Sequence, residues 1–185
     1  TENTYLAVNS NAYKHLTIQD SEQWEYVYPK IIYNIKNINN LYGGSVSLDN
    51  EAMVKKDLND SSSSIISTQL NWRKKVIDNN SGLLFDNESN FRVVSINIDY
   101  KNQPNEENVR FFPQWSSKIS YPLIKFSDTA SYTLTPIIMP IVAPYNNYTD
   151  QQTISNSNLF SNNRAPSISE WESGPRINYG LELFM

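Results

Sequence analysis

Proline is distributed so unevenly along this chain that it limits what each part of the chain can fold into. Only Pro29 lies within the first hundred residues, whereas the other eight prolines lie between Pro104 and Pro175. A proline inside a helix removes one backbone hydrogen bond, and its ring clashes with the preceding turn. We therefore predict that the second part of the chain consists of strands, turns and extended segments, and that any helices lie in the first part.

The clearest helical pattern lies in the segment Pro29–Tyr42. Proline suits the first position of a helix, and the apolar side chains that follow recur at helical spacing, at Ile31, Ile35, Ile38 and Tyr42. Gly43-Gly44 would supply the left-handed residue that ends a helix. The pattern predicts a helix over Pro29–Tyr42 that buries its three isoleucines, preceded by a shorter helix through Trp24 and Tyr28.

Alternation of apolar and polar residues predicts strands from residue 65 onward. The strands are expected to span Ile66–Val76, Arg92–Tyr100, Val109–Phe112, Ile119–Phe126 and Ser131–Val142. In the second of these strands, one face is expected to carry Arg92, Val94, Ile96, Ile98 and Tyr100. Because proline cannot donate a ladder hydrogen bond, the strands with Pro122, Pro136 and Pro140 are expected to lie at sheet edges or to contain bulges.

The segment from residue 144 to residue 175 differs from the rest of the chain. Its few apolar side chains are isolated among Asn, Ser and Gln, with no period of 2 or 3.6 residues. A structureless segment of this length is unusual inside a compact domain and is normally functional or disordered. It leads to Arg176–Phe184, where regular alternation predicts a final strand that must pair with another strand.

Together these patterns predict an α+β, β-rich fold. A small helical part (residues 1–60) is expected to pack on an antiparallel sheet or sandwich (residues 65–143), forming a single globular domain over residues 1–143. Residues 144–185 are expected to form an extended C-terminal arm that ends in a strand.

The composition argues against catalysis. The chain has no Cys and a single His, His15, so it cannot supply the three or four N or S ligands of a zinc site. A hydrolytic triad could use only His15, and the chain has no nucleophile motif such as G-x-S-x-G. The carboxylate pairs Glu106-Glu107 and Glu170/Glu172 lie in polar segments that we expect to be exposed. The aspartates Asp57, Asp60, Asp78 and Asp86 lack the regular spacing of a calcium loop. We therefore expect no catalytic residue, no cofactor and no metal.

The net charge restricts the kinds of partner that the chain is expected to bind. A net charge of −4 argues against nucleic acid as the main partner, because such binding depends on Lys and Arg that neutralise phosphates. The basic cluster Trp72–Lys75 is interpreted as the solvated side of an element rather than a nucleic-acid site. No apolar stretch approaches the 18 or more residues that cross a bilayer, so no membrane partner is expected.

Aromatic residues are abundant, with 12 Tyr, 7 Phe and 4 Trp. Tyr and Trp anchor interfaces because they bury large areas with few rotatable bonds. Several of them lie in C-terminal segments that look too irregular to form a core. We predict an interface with other chains through Tyr145, Tyr148, Phe160, Trp171, Tyr179 and Phe184.

These features predict a structural subunit of a multi-protein assembly, whose partners are copies of itself and other structural proteins. A Cys-free, Asn- and Ser-rich β protein with a long arm has the style of bacteriophage virion components of the tail, neck or connector, or capsid-associated class. Location in a virion is therefore expected, with the cytoplasm as the alternative. The competing hypothesis is a non-catalytic β-sandwich that binds carbohydrate or another surface ligand, with Trp115 or Trp171 as a stacking platform.

Overall fold

A computed structural model describes most of the chain, namely residues 3–14, 24–36, 41–56, 61–101, 103–126, 131–146, 155, 157–165 and 169–184. These residues form nine strands and contain no helix. The strands are β1 Thr4–Lys14, β2 Trp24–Ile35, β3 Ser45–Lys56, β4 Ser62–Ile77, β5 Leu84–Asp99, β6 Glu106–Ser120, β7 Leu123–Phe126, β8 Ser131–Val142 and β9 Arg176–Phe184.

The strands form one antiparallel sheet with a largely sequential order. Each strand from β1 to β6 lies beside the next, β6 is followed by β8, and β8 also pairs with β7 and β9. Strands that follow one another in sequence can pair through short connections, which is the usual arrangement in antiparallel sheets. The predicted β-rich antiparallel fold is therefore confirmed.

The residues divide into two compact units. The first comprises Thr1–Ile38, Ser47–Leu70 and Phe91–Phe111, and the second comprises Asn39–Val46, Asn71–Asn90 and Phe112–Met185. Strands β3, β4, β5 and β6 each contribute residues to both units.

The predicted helical N-terminal part is wrong for the residues that the structure describes. Residues 29–35 belong to β2, and Ile31 keeps 37% of its surface exposed instead of being buried. The segment is rich in β-branched and aromatic residues, which fit a pleated strand better than a helix. Pairing with strands on both sides then outweighs the helical spacing of the isoleucines. Ile38 lies outside the described residues.

Pro29 is accommodated by a bulge in β2. On one side Lys30 pairs with Asn9 and Val27 with Asn11, so two residues of β2, Tyr28 and Pro29, oppose one residue of β1. The register with β3 shifts at the same place. Because a bulge interrupts the ladder, the missing N–H of proline costs no regular hydrogen bond there.

Gly43-Gly44 forms a tight turn before β3 and does not end a helix. Tyr42 and Gly43 have φ angles of 52° and 74°, and the Gly44 N–H donates to the Leu41 carbonyl at 3.0 Å. Two residues with positive φ are characteristic of two-residue hairpin turns. A Cβ at Gly44 would lie 2.6 Å from Trp72 Nε1, so glycine is required by close approach.

The basic cluster Trp72–Lys75 packs against this turn and against β5. Trp72 Nε1 and Lys74 Nζ each donate at 2.9 Å to a turn carbonyl, those of Leu41 and Tyr42. Arg73 binds the Asp86 carboxylate through two nitrogens, and this hydrogen bond raises the pKa of the guanidinium. The charged side chains of Arg73 and Lys74 therefore make polar contacts within the chain.

The buried side of β5 in the first unit confirms the predicted face. Arg92, Val94 and Ile96 are buried. Arg92 Nε donates to Ser67 Oγ at 2.9 Å, and burial lowers the pKa of this guanidinium against an opposing effect of Glu51. The strand β4 is found where predicted, but Ser67 is its buried residue and Ile66 is exposed, so the apolar side of β4 is not the buried one.

Candidate interaction surface

Two prolines lie in β8, which pairs on both sides and is not an edge strand. Strands β6 and β7 pair with β8 in one constant register, but the ladder skips the pairs opposite Met139 and Pro140. It is also interrupted opposite Pro136, between the end of β6 and the start of β7. The prolines therefore occupy the gaps of one ladder. Of the two expected arrangements, an edge position or a bulge, the edge position is wrong for β8, and the ladder is interrupted at the prolines without a shift of register.

The C-terminal strand β9 is confirmed with the predicted bounds, and β8 is its partner. Nine consecutive pairs join them, from Arg176 opposite Ile141 to Phe184 opposite Thr133. The strand that was expected to need a partner therefore has one within its own chain along one edge.

The strands β6, β8 and β9 present two faces of different character. We define the inner face as the side that carries Phe112, Gln114 and Ser116 of β6, Ile137, Met139 and Ile141 of β8, and Asn178 and Gly180 of β9, most of which are buried. We define the outer face as the opposite side, which carries Trp115 of β6, Leu134, Ile138 and Val142 of β8, and Ile177, Tyr179, Leu181 and Leu183 of β9, all exposed.

The segments 157–165 and 169–175 cover the inner face. Trp171 keeps only 3% of its surface exposed and stacks on Phe112 with ring centroids 6.3 Å apart. Phe160 lies over β9, where a Cβ added to Gly180 would come 3.1 Å from its ring. Gln114 Nε2 donates to the Asn162 carbonyl at 2.9 Å. The expectation that this part of the chain is too irregular to join a core is therefore wrong for Trp171.

A buried ionic cluster of Arg164, Glu172 and Arg176 holds the segments 157–165 and 169–175 to each other and to β9. The Glu172 side chain, 2% exposed, lies between two arginines. Arg164 Nε is 2.8 Å from its Oε2, and Arg176 Nη2 is 3.1 Å from the same oxygen. The hydrogen bond to Glu172 raises the pKa of Arg164, whereas burial lowers the pKa of Arg176 despite the attraction of Glu172. The expected exposure of Glu172 is therefore wrong.

The outer face forms a continuous row of apolar cross-strand neighbours. Leu134 lies opposite Leu183, and Ile138 lies opposite Tyr179, which is 77% exposed. The prolines of β8 lie opposite Leu181 and Ile177 in the same row. Among the described residues nothing covers this row, while Ser116 and Asn178 are buried on the inner face. The inner face buries polar side chains among its apolar ones, and the outer face leaves a contiguous apolar row exposed, which burial within one chain would not select.

The free edge of β9 can be assigned from one hydrogen bond. The Tyr121 N–H donates to the Pro136 carbonyl at 3.2 Å, so even-numbered residues of β8 direct their backbone groups towards β6 and β7. Odd-numbered residues of β8 then face β9, and they pair with even-numbered residues of β9. It follows that the backbone N–H and C=O groups of Ile177, Tyr179, Leu181 and Leu183 point away from β8. No described strand pairs with this edge.

The structure places the six predicted interface residues in different environments. Tyr179 and Phe184 are exposed on β9, and Tyr145 is exposed beside Gly174. Phe160 is half-buried and Trp171 is buried, both on the inner face. Tyr148 lies outside the described residues. The interface role of the six residues stays a prediction.

Sequence reasoning missed most of the outer face, including Leu134, Ile138 and Leu181. A signal was present, because β8 is apolar on both sides, and such strands are usually covered on both faces. Trp115 does lie on the outer face, whereas the buried Trp171 cannot serve as an open stacking platform.

The remaining candidate catalytic and metal-binding residues form no common site among the described residues. His15, Asp57 and Asp60 lie outside the described residues, and Glu106 and Glu107 are exposed at the start of β6. In the part of the chain that the structure describes, no three His, Cys, Asp or Glu residues come together as a metal site would require. Nor does this part contain a helix that is long and apolar enough to cross a membrane.

Comparison with known proteins adds no relative. Neither a scan against protein-family models nor a search of curated proteins finds a match for this chain.

Proposed function

We propose that the chain is a non-catalytic structural subunit of a multi-protein assembly, which it contacts through the outer face. The assembly that its composition and strand-rich layout fit best is a bacteriophage virion, as a tail, neck or connector, or capsid-associated component. The observation that carries the proposal is the row of exposed apolar side chains on β8 and β9.

Leaving such a surface in water is costly. Each apolar side chain that remains exposed forgoes a burial free energy of about 1.5–3 kcal/mol. Contiguous apolar patches on soluble chains usually mark interaction sites. The outer face includes Tyr179 of β9 and Trp115 of β6, and aromatic residues of this kind dominate the energetics of protein interfaces.

The chemistry of the second unit supports a structural role. Among its described residues, the buried carboxylate of Glu172 is bound by Arg164 and Arg176 and is closed off from solvent. A carboxylate that is fixed between two arginines and shielded from solvent serves to hold segments together rather than to transfer a proton.

A substitution on the outer face tests the proposal. Ile138→Lys places a charge in the middle of the row and leaves the inner face unchanged. We expect the wild-type chain to sediment as an oligomer, and we expect the variant to stay folded but to lose the contacts made through the outer face and sediment as a smaller species. At a concentration where both chains are monomeric, their unfolding midpoints should be equal. Ile77→Lys, at the exposed end of β4, is the matched control and should assemble normally. If Ile138→Lys assembles as the wild type does, in sedimentation and in incorporation into particles, the outer face is not the contact.

A second candidate function, carbohydrate binding, is favoured by a pocket in the first unit. The pocket has a volume of about 570 Å³, and its lining consists of Ser10, Asn11, Ala12, Tyr26, Tyr28 and Lys56. Tyrosine rings with hydroxyl and amide neighbours suit sugar rings, which present both apolar faces and hydroxyls. Under this alternative Tyr28→Ala abolishes glycan binding in a titration, while Ile138→Lys has no effect on it.

A further inference from the structure

We propose that the free edge of β9 pairs with β9 of a second copy of this chain, in an antiparallel arrangement with its twofold axis at Tyr179. This inference rests on the proposed function and names the partner at one edge of the outer face. Four residues of β9 direct their backbone groups away from β8, and a strand edge of this length is normally covered or paired.

The direction of the backbone groups restricts the register. The edge-facing residues are odd-numbered, so odd-numbered residues must pair with odd-numbered residues of the second copy. Centring the pairing on Tyr179 places Ile177 opposite Leu181 of the second copy, and Tyr179 opposite its own equivalent. Each of these pairs exchanges two hydrogen bonds, and their side chains lie together on the outer face.

The charges select this register over its neighbour. With the axis at Tyr179, Arg176 of one copy lies opposite Glu182 of the other, and the symmetry repeats this pair. With the axis at Gly180, Arg176 would instead lie opposite Phe184. Opposite charges directly across two strands stabilise the pairing.

The ionic cluster on the inner face has a matching surplus of charge. Arg164 and Arg176 share the carboxylate of Glu172, so the described side chains of the cluster carry one positive charge in excess. Arg176 Nε and Nη1 have no hydrogen-bond acceptor among the described residues. Glu182, already 3.6 Å from Lys118 within its own chain, would bring a carboxylate of the second copy beside Arg176.

The pairing would also join the two outer faces. Because the twofold axis is perpendicular to the plane of the sheet, both copies present Tyr179 and its neighbours on the same side. The dimer would therefore offer one continuous apolar surface, twice as wide as that of one chain, to further components of the assembly.

Single cysteines test the register directly, because the chain contains no cysteine of its own. In the proposed dimer the two Cα atoms of residue 179 are about 5.5 Å apart, a separation that a disulfide spans. Tyr179→Cys should therefore form a covalent dimer in the presence of diamide, which accepts the two protons and two electrons that the thiols lose. Leu181→Cys alone should not cross-link, since residues 181 of the two copies are several residues out of register.

A mixed experiment gives the strongest support. Equal amounts of Ile177→Cys and Leu181→Cys should yield the cross-linked heterodimer, while neither yields a homodimer. Glu182→Lys should raise the dimer dissociation constant about tenfold through two symmetric like-charge pairs. Glu106→Lys, an exposed site with the same change in net charge, should leave the dimer unaffected.

Three results would overturn the proposal. A chain that stays monomeric at all concentrations has no such dimer. Cross-linking of Leu181→Cys with itself, or failure of Tyr179→Cys in a chain that sediments as a dimer, assigns the contact to another register or another edge, such as β1. In either of the last two cases the proposed function still stands if Ile138→Lys abolishes assembly, so the two proposals fail separately.

Discussion

The two faces of the strands β6, β8 and β9 differ in a way that their composition alone would not suggest. The inner face buries Gln114, Ser116 and Asn178 among its apolar residues, while the outer face exposes a row of Leu, Ile, Val and Tyr. The two faces differ in burial because the segments 157–165 and 169–175 pack on the inner face, whereas no described segment packs on the outer face. Both sides of β8 carry apolar residues, so on this strand the path of the covering segments decides which side is buried.

The largest expected effect concerns the inner face. Trp171→Ala removes the indole that stacks on Phe112, and the resulting cavity should lower the free energy of unfolding by about 3–5 kcal/mol. Tyr179→Ala removes a comparable ring from the outer face and should change the unfolding of the monomer by no more than about 0.5 kcal/mol. Urea denaturation at a concentration where the chain is monomeric measures both. Equal losses for the two variants would remove the distinction between the faces.

A somewhat smaller loss is expected when the ionic cluster is broken. Glu172→Gln leaves Arg164 and Arg176 buried without a counter-ion, which should lower the free energy of unfolding by about 3 kcal/mol. Glu170→Gln, two residues away, is the control and should stay close to the wild type. Increased proteolysis of the segment 157–165 in the Glu172 variant would show that the cluster fastens this segment. Wild-type resistance there, despite the lost charge, contradicts the assigned role.

The smallest expected change in stability concerns the turn before β5, which lies outside both faces. The Ser81 hydroxyl donates to Asp78 Oδ2 at 2.5 Å, and the Asn80 N–H donates to Oδ1 at 3.2 Å. These hydrogen bonds hold the pKa of the Asp78 carboxyl below its ordinary value. The stabilisation is therefore present at neutral pH and is lost as the pH falls through the folded-state pKa. Unfolding midpoints measured from neutral to acidic pH should drop slightly less in Asp78→Ala than in the wild type, and an identical pH dependence would exclude this contribution.

Several elements could be predicted from the sequence because local alternation decides them. The bounds Ser131–Val142 and Arg176–Phe184 match the predicted strands, and the buried face of β5 follows the predicted residues. The segment around Pro29 could not be assigned correctly, because its isoleucines fit a helical period while its β-branched residues favour a strand. Pairing with β1 and β3, the strands before and after it in the chain, resolves that ambiguity, and the pattern within the segment itself does not contain this information.

The candidate surface was harder to predict than the fold. Its residues on β9 were visible as an alternating pattern, but the pattern does not state which side a distant segment will cover. The contacts that decide the matter, between Trp171 and Phe112 and between Glu172 and Arg164, have no periodic signature. An isolated aromatic in polar sequence therefore fits a core position as well as an interface.

The pairing of β8 with β9 constrains the order in which the strands can pair during folding. Strands β1 to β6 pair with their neighbours in sequence, so each step closes a short loop, whereas β9 must return across residues 143–175 before it meets β8. Until that return is complete, β8 has a bare edge and two uncovered apolar sides, which is the condition in which partly folded chains aggregate. A growing chain is therefore most exposed to aggregation between the synthesis of β8 and the docking of β9, and a partner that shields β8 in this interval would raise the yield of folded protein without changing the stability of the finished sheet.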